Sequence, residues 1–345
     1  MSPLILLIMA FTLGLGTAVT LMSTHWLLAW MGLEMNSLAV TPLMIKQHHP
    51  RAVEATTKYF LIQATAAATL LFASTMNAWL TGAWEISQMT HPLPTTLITV
   101  ALSLKLGLAP VHSWLPDIMQ GLELKMGLIL ATWQKLAPFS LLLQINNGTL
   151  MVFLGLTSVM MGGWGGLNQT QLRKILAYSS IAHLGWMFLV VQFFPTLSLI
   201  TLLIYIVMTF SLFNTFMLNK ATNINSLSTS WMKMPILTAL TPLMLLSLGG
   251  LPPLTGFLPK WMILQELTKQ NFNTVATAAA LSALLSLYFY LRLAYSMTLT
   301  IAPNTSANTL SWRLNKKSML TPTATTVTMT LFLLPLLPLM LALTL

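Results

Sequence analysis

Cysteine is missing from all 345 residues. Its absence excludes disulfides, thiolate metal sites and cysteine-ligated iron-sulfur clusters. Charge is almost missing as well. Only 6% of the residues are charged and six are acidic, against roughly a quarter charged in soluble domains, so a soluble globular chain is excluded. No stretch of about ten residues alternates apolar with polar side chains, which excludes a membrane β-barrel. The chain has no HExxH, GxSxG, P-loop or dinucleotide fingerprint, and adjacent His48 and His49 cannot place two ligands on one helix face. Covalent catalysis, a bound cofactor and a metal centre therefore have no residues here. The opening MSPLILLIMAFTLG has neither a basic n-region nor a cleavage site, and no arginine-rich transit peptide precedes it. It reads as a first membrane helix.

What is present is apolar: 56% of the residues are hydrophobic. The runs recur along the whole length with no polar domain between them, which predicts an all-α integral membrane bundle. About eleven transmembrane helices are expected, near 3–21, 25–45, 57–80, 94–119, 125–145, 149–168, 174–194, 197–219, 234–268, 273–297 and 320–344. The fourth and ninth are interrupted by proline and glycine.

The net charge of +10 does not point to nucleic acid, because the basic residues are scattered and not interleaved with aromatics. They do sort by loop. Those after even-numbered helices, with adjoining helix ends, hold Lys46, Arg51, Lys58, Lys125, Arg173, Lys174, Lys220, Lys233, Arg292, Arg313, Lys316 and Lys317, whereas those after odd-numbered helices hold Lys269 alone. The positive-inside rule puts the even loops and the N-terminus on the untranslocated side and the C-terminus opposite.

Two stretches repeat at an offset of 143 residues: GLAPVHSWLPD, 107–117, aligns without gaps on GLPPLTGFLPK, 250–260. Five crossings per repeat, an odd number, force the second copy to run inverted through the membrane. The expected organisation is a five-helix repeat over 1–147, an inverted five-helix repeat over 148–298, and a loop with a C-terminal helix over 299–345.

The same stretches carry charge at membrane depth, where ionisable groups are costly and functional by default. Lys105 stands before the first break and Lys260 follows Pro259 in the second. Lys135 lies in ILATWQKLAPFSLL, and Glu34 lies mid-span in WLLAWMGLEMNSLAV. Apolar surroundings favour the neutral form of a lysine or a carboxyl, and an opposite charge favours the ionised one. A carboxylate and a lysine that change partners can therefore exchange protons. Glu34 is the acid available to Lys105, although a carboxyl that only bonds a neighbouring helix is the plainer reading. His183 can relay a proton near neutral pH or serve as a hydrogen-bonded core residue, and His112 reads first as a cap on freed backbone carbonyls. Asp117 belongs near a helix end and Glu123 beside Lys125. His25, His48, His49 and His91 read as loop or interfacial residues, and GGWGG, 162–166, as a close-packing patch.

WMGLE at Glu34, LSLKLGLAPVHSWLPD at Lys105, GLILATWQK ending at Lys135, GGLNQTQLRKILAYSSIAHLGW around His183 and GGLPPLTGFLPKW around Lys260 carry a resemblance. Over essentially the full chain they are similar to the vertebrate chain-2 family of mitochondrial NADH:ubiquinone oxidoreductase. That family is one of the antiporter-like membrane subunits of respiratory complex I and is related to multi-subunit sodium/proton antiporters. The resemblance implies proton translocation along a buried axis of Glu34, Lys105, Lys135, His183 and Lys260, in an enzyme subunit that does no redox chemistry itself. It implies that NADH, FMN, iron-sulfur clusters and ubiquinone belong to other subunits. Expected partners are the other membrane subunits of complex I and phospholipids such as cardiolipin, in the mitochondrial inner membrane with the N-terminus on the matrix side and the C-terminus on the intermembrane-space side. Bacterial relatives carry extra N-terminal helices, and some relatives have glutamate at the place of Lys260. A stand-alone sodium/proton antiporter and a structural spacer of the membrane arm are the alternatives.

Overall fold

A computed structural model describes residues 3–45, 49–145, 147–232, 234–299 and 320–336. Lys46, His48, Lys233, Arg313, Lys316, Lys317 and the end of the last expected crossing lie outside the described residues. Among those described the structure is helical, without a β-strand. Five helices are long and apolar enough to cross a membrane, and large apolar side chains such as Leu61, Phe72, Trp79, Leu281 and Leu284 stand outward, as a lipid-facing surface requires. The chain forms two compact units, Met1–Gly155 and Leu156–Leu345.

In the first unit the helices are α1 (Pro3–Met22), α2 (Trp26–Met44), α3 (Pro50–Thr81), α4 (Pro92–Leu106), α5 (Trp114–Gly121), α6 (Leu124–Ala131) and α7 (Trp133–Leu142). Helices α1 and α2 cross at Gly16 and Gly32, where a Cβ on either glycine would lie 2.9 Å from the other's carbonyl oxygen. Small residues of this kind let membrane helices approach to backbone contact. Helix α3 starts seven residues before the expected crossing. Pro50 occupies its first turn, where a missing N–H costs nothing, and the His49 Nδ1 accepts from the Arg51 N–H at 3.2 Å. His25 caps α2 in the same way at Leu27.

The fifth expected crossing is itself interrupted. It divides at Thr132 into α6 and α7. Pro138 lies inside α7, so the Gln134 carbonyl loses its i+4 donor and the proline ring presses on the preceding turn. The backbone N–H of Lys135, in that turn, donates to the Thr132 carbonyl three residues back at 3.3 Å.

The second unit begins within α8 (Gly148–Gly165) and continues through α9 (Leu172–Val190), α10 (Pro195–Asn219), α11 (Ile224–Ser228), α12 (Pro235–Gly249), α13 (Phe257–Lys269), α14 (Asn273–Thr298) and α15 (Leu320–Phe332). Its core is α9, buried along almost its whole length. The GGWGG glycines pack there: a Cβ on Gly162 would meet Ala182, and one on Gly165 would enter the Tyr178 ring. The Thr255 hydroxyl donates to the Thr330 carbonyl at 2.6 Å, tying the second break to α15. Arg292 of α14 donates to the Leu167 and Gln169 carbonyls just past α8. Hydrogen bonds to charged groups contribute about 1.5–3 kcal/mol each, so Arg292→Ala is expected to destabilise this unit by about 3 kcal/mol. Thermal unfolding of the purified assembly checks this; an unchanged midpoint would show that the two contacts add nothing.

The breaks are alike in detail. Helix α4 ends on Gly107 and α12 on Gly250, both with φ +79°, a left-handed conformation that glycine adopts without a Cβ penalty. Gly107 N–H bonds the Ser103 and Leu104 carbonyls and Leu108 N–H bonds Ser103. Gly250 N–H bonds Leu246 and Ser247, and Leu251 N–H bonds Leu246. Each pair is offset by 143 residues. A second matched pair, invisible in the sequence, pins the start of a central helix. His25 bridges to Glu85 and Gln171 to Asn223, each through the same two backbone bonds: Trp26 to Trp84 and Ile86 to Thr24 in one, Leu172 to Thr222 and Ile224 to Thr170 in the other.

Candidate functional site

Glu34 stands mid-way along α2, with its Oε2 buried and without a hydrogen bond. The expected contact pair is not formed, however. Among the described residues the ion pairs closer than 4.0 Å are Lys58–Glu54 and Lys269–Glu266, both on helix surfaces. Glu34 and Lys105 therefore stand apart, and Glu123 makes no ion pair with Lys125.

Lys105 lies in the last turn of α4, 7% exposed, and Lys135 in α7, 3% exposed. The structure brings these two lysines to one cavity of about 20 Å³, lined by Asn36, Ser37, Tyr59, Gln63 and Gln134 as well. Roughly 10–15 Å³ suffices for one water molecule. Two of its lining residues carry unbonded polar atoms: the Gln134 Nε2 and the Asn36 Oδ1, the latter beside Gly16 of α1, are buried without a hydrogen-bond partner. Sequence reasoning missed Asn36, Gln63, Tyr59 and Gln134. The signal was there for the three amides, since each interrupts an apolar membrane run. A wider cleft of about 320 Å³ is lined by Arg51, Glu54, Lys58, Asp117 and Gln120. It uses the same helices, α3 and α5, one or two turns from Tyr59, Gln63 and Trp114 of the inner cavity.

At the second break Lys260 reaches back across the gap. Its Nζ donates to the Gly249 carbonyl, the last of α12, at 2.7 Å, and its stem lies over Gly250, where a Cβ would sit 2.8 Å from the lysine Cδ. Lys105 precedes its break and Lys260 follows its own, yet both belong to the C-terminal end of the first half-helix, Lys105 by its place in the last turn of α4 and Lys260 by the reach of its ammonium. Unpaired carbonyls and the negative end of the helix dipole favour a cation there. At the first break the corresponding donor is the Trp114 indole N–H, bonded to the Leu104 carbonyl at 3.2 Å, and His112 bonds the Pro110 carbonyl.

His183 lies in α9, 8% exposed, with its ring 5.5 Å from that of Tyr205. It shares the second unit with Lys260. No group of three or more His, Cys, Asp or Glu that could hold a metal ion occurs among the described residues.

The NADH:quinone oxidoreductase/Mrp antiporter transmembrane family matches residues 23–286, and the family of NADH dehydrogenase subunit 2 C-termini matches 287–341. The chain is 67% identical over 340 residues to NADH-ubiquinone oxidoreductase chain 2 of Tetraodon nigroviridis, covering 98% of each. It is 64% identical over 341 residues to that of Oncorhynchus mykiss, again covering 98% of each. Among solved structures, a chain of respiratory complex I from Thermus thermophilus superposes with a TM-score of 0.82 at 27% identity, over 97% of this chain and 79% of that one. A chain of the Mrp complex from a Dietzia species gives 0.79 at 18%, over 85% and 60%, a likeness of fold alone.

Proposed function

The chain belongs to the NADH:quinone oxidoreductase/Mrp antiporter family, and from that premise we propose that it moves protons through a buried row of Glu34, Lys105, Lys135, His183 and Lys260. It is an antiporter-like, multi-pass inner-membrane subunit of NADH:ubiquinone oxidoreductase, so its partners are other subunits of complex I. NADH, flavin, iron-sulfur clusters and quinone belong to those partners in this reading. The supporting observation is the cavity that Lys105 and Lys135 share. Two ammonium groups lining one buried chamber repel, more strongly than they would in water because the surroundings are less polarisable. Holding one proton between them is therefore favoured, and a charge change at Glu34 shifts which lysine holds it. Quinone reduction elsewhere supplies that change by altering the field along the row, each transfer favouring the next.

The finer architecture is part of the same reading. It comprises eleven crossings, a five-helix repeat over 1–147 inverted in 148–298, a tail over 299–345, a matrix-side N-terminus and cardiolipin in the lipid seams; the matched breaks and paired bridges support the repeat alone. Proton pumping per NADH tests the function. A complex carrying Lys135→Met is expected to assemble and to lose protons from the stoichiometry, whereas the spacer alternative expects full stoichiometry. The purified chain alone is expected to show no sodium/proton exchange in vesicles; exchange there would favour the stand-alone antiporter.

A further inference from the structure

The second unit holds a set of buried hydroxyls that this row does not use. Tyr205 of α10 and Tyr290 of α14 are each 1% exposed. The Tyr205 hydroxyl bonds Ser180 and its ring lies against His183. The Tyr290 hydroxyl is directed at Ser179 without closing a bond of standard geometry, and it is buried with no other partner. Both serines donate their own hydrogens to α9 carbonyls, Ser179 to Leu176 and Ser180 to Ala177, each at 2.7 Å. Their lone pairs remain for the tyrosines. A buried phenol without a bond is costly and calls for a reason.

The other end of Tyr290 supplies one. A Cβ built on Gly249 would meet the Leu287 Cδ1 first, at 2.8 Å, and would lie 3.7 Å from the Tyr290 Cδ2 and 3.9 Å from its Cβ, so the base of the Tyr290 side chain passes beside the residue whose carbonyl seats the Lys260 ammonium. The side chain thus spans from the seat of Lys260 to α9, where Ser179 and His183 lie one turn apart on the same face.

We propose that Tyr290 is the hydroxyl bridge by which a proton passes between Lys260 and His183. The inference rests on the proton-carrying reading above. Lys260 gives its proton, through a water molecule, to a lone pair of the Tyr290 oxygen while that oxygen releases its own hydrogen to Ser179. Ser179 in turn passes its hydrogen, again by water, to the His183 imidazole. One proton moves, each hydroxyl ends neutral, and no electron is transferred. Tyr205 and Ser180 are positioning residues that hold the imidazole ring.

The test is proton flux per assembled complex I with Tyr290→Phe, which keeps the ring beside Gly249 and removes only the oxygen. Flux is expected to fall at least tenfold, less than the roughly hundredfold of a positioned proton carrier because water takes part of the route. The solvent deuterium isotope effect on pumping is expected to rise, which a packing defect would not cause. Ser179→Ala removes the acceptor and is expected to act likewise, so it decides the matter where Tyr290→Phe does not assemble. Full flux in either assembled variant, while Lys260→Met loses flux, overturns the bridge and leaves the row standing. Full flux in Lys260→Met as well overturns both.

Discussion

Lys105→Met is expected to leave complex I assembled and to slow proton pumping by about a hundredfold or more, the range in which a positioned proton-transfer group contributes. The two halves of that expectation have separate physical grounds. Methionine has nearly the length of lysine and fills the same apolar channel, and it removes an ammonium whose burial at membrane depth costs about 3 kcal/mol on insertion scales. The side chain is 7% exposed and makes no close ion pair, so no partner is left stranded in contact with the substitution. Packing therefore survives. Function does not, because the cavity shared with Lys135 then holds one lysine in place of two. Pumping measured per assembled complex, with assembly scored on a native gel, separates the halves. Normal pumping by an assembled variant would remove Lys105 from the mechanism.

The second large effect is structural. Gly256→Ala is expected to abolish assembly, with a destabilisation above about 4 kcal/mol, beyond the usual range for one substitution. The backbone angle is not the reason, since Gly256 has φ −68° and ψ −14°, which alanine adopts freely. The reason is contact: a Cβ there would overlap the Ser247 carbonyl oxygen and lie 2.7 Å from its carbon. Those atoms belong to the end of α12 and cannot turn aside as a side chain could. Moving them would displace Gly249 and Gly250, on which Lys260 is seated. Gly14→Ala is the control. Nothing lies within 4 Å of a Cβ at that position in α1, and replacing a helical glycine stabilises by roughly 0.5–1 kcal/mol. Complex levels and thermal midpoints of the two variants should move in opposite directions; a Gly256→Ala complex at full level would refute the contact.

Much of this protein is legible in its residues. Apolar runs of membrane length determine helices wherever water is absent, because only a helix satisfies its own backbone there. Gly107 and Gly250 mark the breaks on their own, since a left-handed residue before proline can continue no helix. Glu34, Lys105, Lys135, His183 and Lys260 stand out by the cost of burying them.

Other features depend on which faces meet. That Lys105 and Lys135 share a chamber follows from packing α4 against α7, a long-range contact that no spacing encodes. The interruption at Thr132 needed the turn ahead of Pro138 to yield, and Pro42 and Pro242 lie inside helices without dividing them. Lys260 looked like a station beyond its break, but the long side chain reaches back to the C-terminal end of α12, because unpaired carbonyls and the helix dipole concentrate negative charge at that one place. Sequence alone determined which ionisable groups lie at membrane depth; the tertiary structure decided which of them line one chamber and which stand apart, because that depends on separations of a few ångströms set by helix packing.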